Sequence, residues 1–378
     1  MRGTGLFALS LLVSLPAWAG AANEARRGAF EATFQESNPL SSIGVLESRA
    51  KIIRKHVKPY ALSKETFSVF VPDSYDGKKL HGLLVFVNAG KSGRCPKQYH
   101  SVLKKHAFIW VGANNSGNDR SPRNARLGMA LDAVHNLKKQ YQIDPDRVYA
   151  SGFSGGGTMC SILMYFFPDV FTGGLPMCAP GCYYDNAMCD KFFMMGKPKP
   201  EQYKLIADRS RFAVMSHAKD FNLKSAQSAT ERLKRDGLPA RLFRGPEAHR
   251  IANAQMLDEA LTFLDGCARE KAKKVYEKAL ADQKRRKVDM ALNGYEAAAR
   301  QGGDEPWAKE AAAKAKALRE RYASLVQAIE QDFEAKRYGP GSMKIRQLER
   351  EWPSRSVAKV KEFKAMIEEI RRKALSGR

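Results

Sequence analysis

An α/β domain on a mainly parallel, doubly wound sheet, followed by an all-α domain of helical hairpins, is the architecture that this 378-residue sequence predicts. Three observations carry that reading. Short apolar, β-branched runs alternate with amphipathic segments between about residues 61 and 267; the strand-like runs stop at Cys267; beyond it Ala, Lys, Glu and Arg dominate, with apolar residues at three-and-four spacing. A chain of this length can bury a full core and a smaller companion.

In chain order, the first element is a targeting segment. "MRGTGLFALSLLVSLPAWAGAANEA" has a basic start at Arg2, an apolar run from Leu6 to Leu15 and a small-residue step at Ala17-Trp18-Ala19. That pattern predicts a signal peptide over 1–19 and a secreted or periplasmic product; the run is short for a membrane anchor and is stopped by Pro16. Residues 20–60 read as a polar linker with a short helix through "IGVLESRAKIIRKHV".

Seven strands follow in the 61–267 domain: "FSVFVP" (67–72), "LLVFVNAG" (83–90), "FIWVGANN" (108–115), "RVYASGF" (147–153), "TGGLPMCA" (172–179), "RFAVMSH" (211–217) and "ARLFRG" (240–245). Between or after them, "RNARLGMALDAVHNLKKQY", "GGGTMCSILMYFF", "SAQSATERLKRDG" and "AQMLDEALTFLDG" carry helical apolar spacing. Strand and helix in alternation imply parallel pairing with helices on both faces.

The 268–378 domain begins with a stripe of Val275, Tyr276, Ala279 and Leu280, followed by another of Trp307, Ala311, Ala315, Leu318, Tyr322 and Leu325. Pro306 and Pro353 each open a helix, and the preceding helices end near Gly302 and Trp352. This is two weak copies of a helical hairpin, offset by just under fifty residues. The tail resembles tetratricopeptide-like repeats, which stack hairpin on hairpin and offer a surface to protein partners. A plain helical bundle packed on the first domain is the competing arrangement.

Composition narrows the partners. The net charge of +24 is spread over both halves, which suits either an anionic envelope surface as a partner or simply a soluble basic protein. No basic stripe with interleaved aromatics occurs, so nucleic acid is not expected. Of six cysteines, Cys182 and Cys189 bracket a short loop and are the expected disulfide, whereas Cys160 falls in a helix and suits a buried thiol. "CAPGCYYDNAMC" contains no histidine, so no metal and no other cofactor is expected.

The chemistry is carried by Gly152-Phe153-Ser154-Gly155-Gly156, a G-x-S-x-G placed where a strand gives way to a helix. Such a nucleophile elbow forces the serine into strained φ/ψ and needs residues without Cβ on either side; the serine then projects over a helix N-terminus. Gly152 and Gly156 are expected to permit the turn, and Gly157 to ease helix entry. A base and an orienting acid should follow in the order acid, then histidine, each after a later strand. "FAVMSHAKD" leads into Asp220 and "ARLFRGPEAH" into His249. His217 precedes the acid and loses to His249 on chain order. His100, His106 and His135 end no strand and are not expected to be ligands.

Residues 66–266 resemble the α/β-hydrolase fold, and within it the secreted esterases related to polyhydroxybutyrate depolymerases and feruloyl esterases. The resemblance rests on "DPDRVYASGFSGGG", with Asp-x-x-Arg-Val-Tyr ahead of the elbow, and on "GPEAH", which presents the base. It implies Ser154 as nucleophile, His249 as base and then acid, and Asp220 as its orienter. Gly155 would give one oxyanion N–H, and Ala89 or Gly90, after "LLVFV", the other. Two departures stand out: Asn88-Ala89-Gly90 where these esterases carry His-Gly, and His217 where glycine is usual. Asn114 and Asn115 are candidates either to contact substrate or to cap a turn. The insertion "YYDNAMCDKFFMMGKPKPEQY" could cover an acyl pocket or complete a core.

The implied function is a secreted serine esterase that forms an acyl-enzyme on an ester substrate, with a polymeric ester, an esterified polysaccharide or a short-chain polyester, as the expected class. A peptidase of the same fold, or a non-catalytic envelope protein using residues 268–378, is the alternative.

Overall fold

The computed structural model describes residues 26–50, 57–121, 124–179, 200–303 and 305–375. All seven expected strands lie in one eight-stranded sheet: β1 (Gly28–Ala32), β2 (Phe67–Val71), β3 (His81–Val87), β4 (Phe108–Ala113), β5 (Ile143–Phe153), β6 (Gly173–Met177), β7 (Arg211–His217) and β8 (Ala240–Gly245), in the order β1-β2-β4-β3-β5-β6-β7-β8. From β4 to β8 every pair is parallel; β2 runs antiparallel to both of its neighbours.

Side chains of β3 alternate between two cores, as the two-residue period of a strand requires. Leu83, Val85 and Val87 join Leu127 and Leu131 of α3 (Asn124–Gln140) and Ile162 and Leu163 of α4 (Gly155–Phe166). That same core takes Leu46 of α1 (Ile43–Ala50), Ile206 of α5 (Pro200–Arg209) and Leu233 of α6 (Leu223–Arg235). Leu84 and Phe86 point the other way, toward Leu103 of α2 (His100–Lys105) and Leu257, Leu261 and Leu264 of α7 (Ala254–Lys284). Helices therefore cover both faces.

Two boundaries differ from expectation. Inside the stretch 20–60, read as a linker, β1 adds an edge strand to β2, and Asn38 and Ser41 both bond the buried Asp132 carboxylate of α3 at 2.7 Å. β1 has five residues and no strong apolar alternation, so its pairing comes from the waiting edge of β2. The division at 267/268 falls inside α7, which continues unbroken to Lys284. The helix contains no proline, and the lone Gly266 is tolerated inside it, so one helix serves both regions.

Beyond it, α8 (Val288–Gly302), α9 (Pro306–Glu334), α10 (Tyr338–Glu351) and α11 (Val357–Leu375) enclose a separate core around Tyr295, Phe333, Leu348, Trp352 and Phe363. Two of the turns in this region are alike. The α7–α8 turn has Arg286 at φ 58 with the Lys287 N–H donating to the Asp282 carbonyl at 2.9 Å; the α9–α10 turn has Lys336 at φ 57 with the Arg337 N–H donating to the Asp332 carbonyl at 2.7 Å. Among the described residues no helix is long and apolar enough to cross a membrane, and Cys95, Cys160, Cys178 and Cys267 are free thiols. The expected signal peptide over 1–19, the expected Cys182–Cys189 disulfide and most of the insertion fall on residues outside those described.

Candidate active site

β5 delivers Phe153, and α4 begins at Gly155; Ser154 between them has φ 53 and ψ −122. This is the left-handed side of φ for a residue with a Cβ, a strain of about 1–3 kcal/mol that the surroundings must hold. They hold it by close packing. A Cβ on Gly156 would stand 2.6 Å from the Val87 carbonyl carbon, and one on Gly152 would stand 2.8 Å from the Val87 oxygen and closer still to the Gly156 carbonyl. Strand β3, strand β5 and helix α4 thus meet backbone to backbone. A Cβ on Gly157 would lie 3.0 Å from the carbonyl oxygens of Met177 and Ala179, so this glycine also serves contact with the chain after β6. The Ser154 N–H donates to Met177 at 2.8 Å.

The loops after β7 and β8 bring the acid and the histidine to the elbow. Ser154 Oγ is 2.9 Å from His249 Nε2, and His249 Nδ1 is 3.0 Å from Asp220 Oδ1. The Asp220 side chain is fully buried and that of His249 is 23% exposed. Burial opposes the Asp220 charge, but hydrogen bonds from the Cys178 thiol, the Asn222 N–H, His249 and the Ser216 hydroxyl more than offset it, and its carboxyl is held below the usual range. An ionised carboxylate only accepts. Nδ1 must then carry the imidazole proton, which leaves Nε2 to accept from the Ser154 hydroxyl.

His217 stays out of this chain. It is buried, and its Nε2–H donates to the Arg250 carbonyl at 3.1 Å, beneath the loop that carries His249. The Cys178 thiol lies 3.0 Å from the same carbonyl and next to Asp220. Cys178, Asp220 and His249 offer one donor atom each within 4.8 Å of one another, the sole such set among the described residues. A cation there would have to displace the His249–Asp220 hydrogen bond and the proton of a thiol that burial pushes up.

Gly155 opens α4, so its N–H has no intrahelical acceptor. In the facing loop the Gly90 N–H points to Asn88 Oδ1 at 3.3 Å, and the Ala89 carbonyl accepts from the Asn118 N–H at 2.8 Å. Asn114 uses its side chain within the fold: Oδ1 accepts from Ser68 Oγ and the Gly93 N–H, both at 3.0 Å, and Nδ2 donates to Thr66 Oγ1 at 3.1 Å. Asn115, at φ 52, donates its N–H to the Lys91 carbonyl at 2.6 Å. The Asn114 carboxamide is thus engaged within the fold, and Asn118 is the asparagine that lies against the elbow. Sequence reading also missed Arg126 of α3. Its buried guanidinium donates to the Ser116 carbonyl at 2.9 Å and the Asn88 carbonyl at 2.8 Å, clamping both loops. An arginine inside the otherwise apolar "NARLGMAL" was the available signal.

The profile of the prolyl oligopeptidase family matches residues 130–225, a stretch that contains Ser154 and Asp220 and ends before His249. A poly(3-hydroxybutyrate) depolymerase of Ralstonia pickettii is 31% identical over 112 residues, which cover 29% of this chain and 22% of that protein. The poly(3-hydroxyalkanoate) depolymerase C of Paucimonas lemoignei is 43% identical over 44 residues, covering 12% and 11%. The chain thus spans less than a quarter of the length of these curated relatives. Among solved structures, the S-formylglutathione hydrolase of Staphylococcus aureus is similar with a TM-score of 0.41 and 15% identity, over 53% of this chain and 92% of that one. The eight-stranded sheet with its elbow between β5 and α4 is an α/β-hydrolase fold, followed by a helical region.

Proposed function

We propose that this chain is a serine hydrolase that cleaves a carboxylic ester through an acyl-enzyme. The observation that carries the reading is the continuous hydrogen-bonded line Ser154–His249–Asp220 at 2.9 and 3.0 Å. Ser154 Oγ attacks the ester carbon while its proton passes to His249 Nε2. Asp220 holds Nδ1–H in place and stabilises the imidazolium. The tetrahedral oxygen is met by the N–H groups of Gly155 and Ala89, the latter favoured over Gly90 because the Gly90 N–H already faces Asn88. As the intermediate collapses, the leaving alcohol takes the proton from Nε2; a water activated by the same nitrogen then releases the acid.

The likeness to two polyester depolymerases supports a polyester as substrate, with an esterified polysaccharide as the alternative, and with it action outside the cytoplasm. The charge of +24 fits an anionic envelope surface as a second partner, and the helical region a protein partner. Hydrolysis of p-nitrophenyl acetate and butyrate by the wild type and by Ser154→Ala tests the reading, together with labelling by a fluorophosphonate. Loss of both in the variant is expected; equal rates in the two proteins would refute it. The match to the prolyl oligopeptidase family favours a peptidase as the second reading, which a panel of peptide p-nitroanilides would reveal.

A further inference from the structure

Phe221 is 76% exposed, the one aromatic ring among the strongly exposed large apolar side chains of the described residues. It is also held in place. The residue before it is Asp220, and Asn222 after it donates its N–H to Asp220 Oδ1 at 2.9 Å and its Nδ2–H to the Cys178 carbonyl at 2.7 Å. Its ring stacks on His249 with centroids 4.3 Å apart and planes 25° from parallel. Phe153 closes on the same imidazole from 5.1 Å at a 41° tilt.

A phenyl ring left in water forfeits most of what its burial would contribute to folding. We infer that Phe221 is a specificity residue for the leaving group, selecting alcohols that carry a flat aromatic or extended apolar group close to the ester oxygen. The inference rests on the proposed hydrolysis. His249 Nε2 must hand its proton to the leaving oxygen, so that oxygen sits beside the imidazole when the bond breaks. A substituent on the departing alcohol therefore runs past the ring stacked on that imidazole, whose remaining surface is open. The acyl group leaves the tetrahedral carbon in another direction. An aryl group in offset contact with the exposed ring gains contact area and stacking, and a methyl group cannot.

The test compares benzyl acetate with methyl acetate, whose alcohols are of similar acidity and whose acyl-enzymes are identical. The quantity read is the benzyl-to-methyl ratio of kcat/KM, which reports acylation. Phe221→Ala should lower that ratio about three- to tenfold, the size of one aromatic contact, and Phe221→Trp should keep it. An unchanged ratio in Phe221→Ala, including an equal fall for both esters, overturns the inference: the ring would then only shield or orient His249. Fluorophosphonate labelling of Ser154, run on the same samples, separates the two failures. Labelled protein with an unchanged ratio removes the leaving-group role alone, whereas absence of label on the wild type removes the hydrolase reading with it.

Discussion

The carboxamide of Asn118 occupies the space that a side chain on Gly155 would need: its Cγ lies 2.7 Å and its Nδ2 2.9 Å from where a Cβ would stand, and Oδ1 is closer still. The Asn118 N–H meanwhile holds the Ala89 carbonyl at 2.8 Å. One exposed residue thus links the two backbone segments proposed to receive the oxyanion. Gly155→Ala should push this side chain into solvent at little cost in stability, within about 0.5 kcal/mol, while lowering kcat/KM about tenfold through the disturbed oxyanion loop. Gly156→Ala meets the backbone of β3, which cannot move aside, and should lose about 3 kcal/mol or more. Thermal melts and acetate ester kinetics on both variants check the contrast. Equal melting temperatures would contradict it.

Arg126 should behave as a positioning residue. Its fork bridges the Ser116 and Asn88 carbonyls, a geometry that one ammonium cannot reproduce. Arg126→Lys is therefore expected to lower kcat by about 10- to 100-fold with a smaller change in KM, because the oxyanion donors lose alignment. It should also lose about 1–3 kcal/mol of stability from an unpaired buried carbonyl. A wild-type kcat in the folded variant would show that the loop keeps its shape unaided.

Acid should weaken the junction of β5 and α7. Burial opposes the charge of Asp265, yet the Arg147 guanidinium, with hydrogen bonds from His106, Arg147 and Tyr149, lowers its carboxyl from 3.8 to about 2. A depressed folded pKa contributes stability that is fully present above the unfolded value and is lost as pH falls through the folded one. The contribution, on the order of 2 kcal/mol, should therefore fade between about pH 4 and pH 2. Asp220 adds in the same direction. Urea unfolding across that range should show the loss in wild type and a shallower one in Asp265→Asn, which starts about 3 kcal/mol less stable at pH 7 because it leaves Arg147 unpaired.

Asp146, near the start of β5, accepts from Arg300 at 3.2 Å and from Gln301 at 2.5 Å, a contact between the sheet and the helical region. Asp146→Ala should speed amide exchange at the end of α8 and leave ester hydrolysis within about twofold, since the site lies at the opposite ends of the strands. A large fall in hydrolysis would instead tie the helical region to the active site.

Much of the architecture was legible in the sequence because its pattern changes: short continuous apolar runs, fully buried in β2, β3 and β4, alternate with amphipathic segments up to Cys267, and three-and-four spacing stands alone after it. β1 was not, since five weakly patterned residues owe their conformation to β2. Nor was the continuity of α7 across residues 267 and 268, because a helix that serves two cores need not break where it passes from one to the other.

The sequence alone determined the strand-turn-helix around Ser154 and the chain order of Asp220 and His249, since glycine sterics and strand succession are local properties. It also showed the Asp-x-x-Arg-Val-Tyr run ahead of the elbow. Only the tertiary structure decided what that run does: Arg147 and Tyr149 bond Asp265 of α7, away from Ser154. It likewise decided that His217 holds a backbone carbonyl, that Asn118 meets the elbow while Asn114 bonds Ser68, Gly93 and Thr66, and that Phe221 lies open on the imidazole. These are contacts between residues far apart in the chain, and their geometry exists only once β3, β5, β7 and β8 stand side by side.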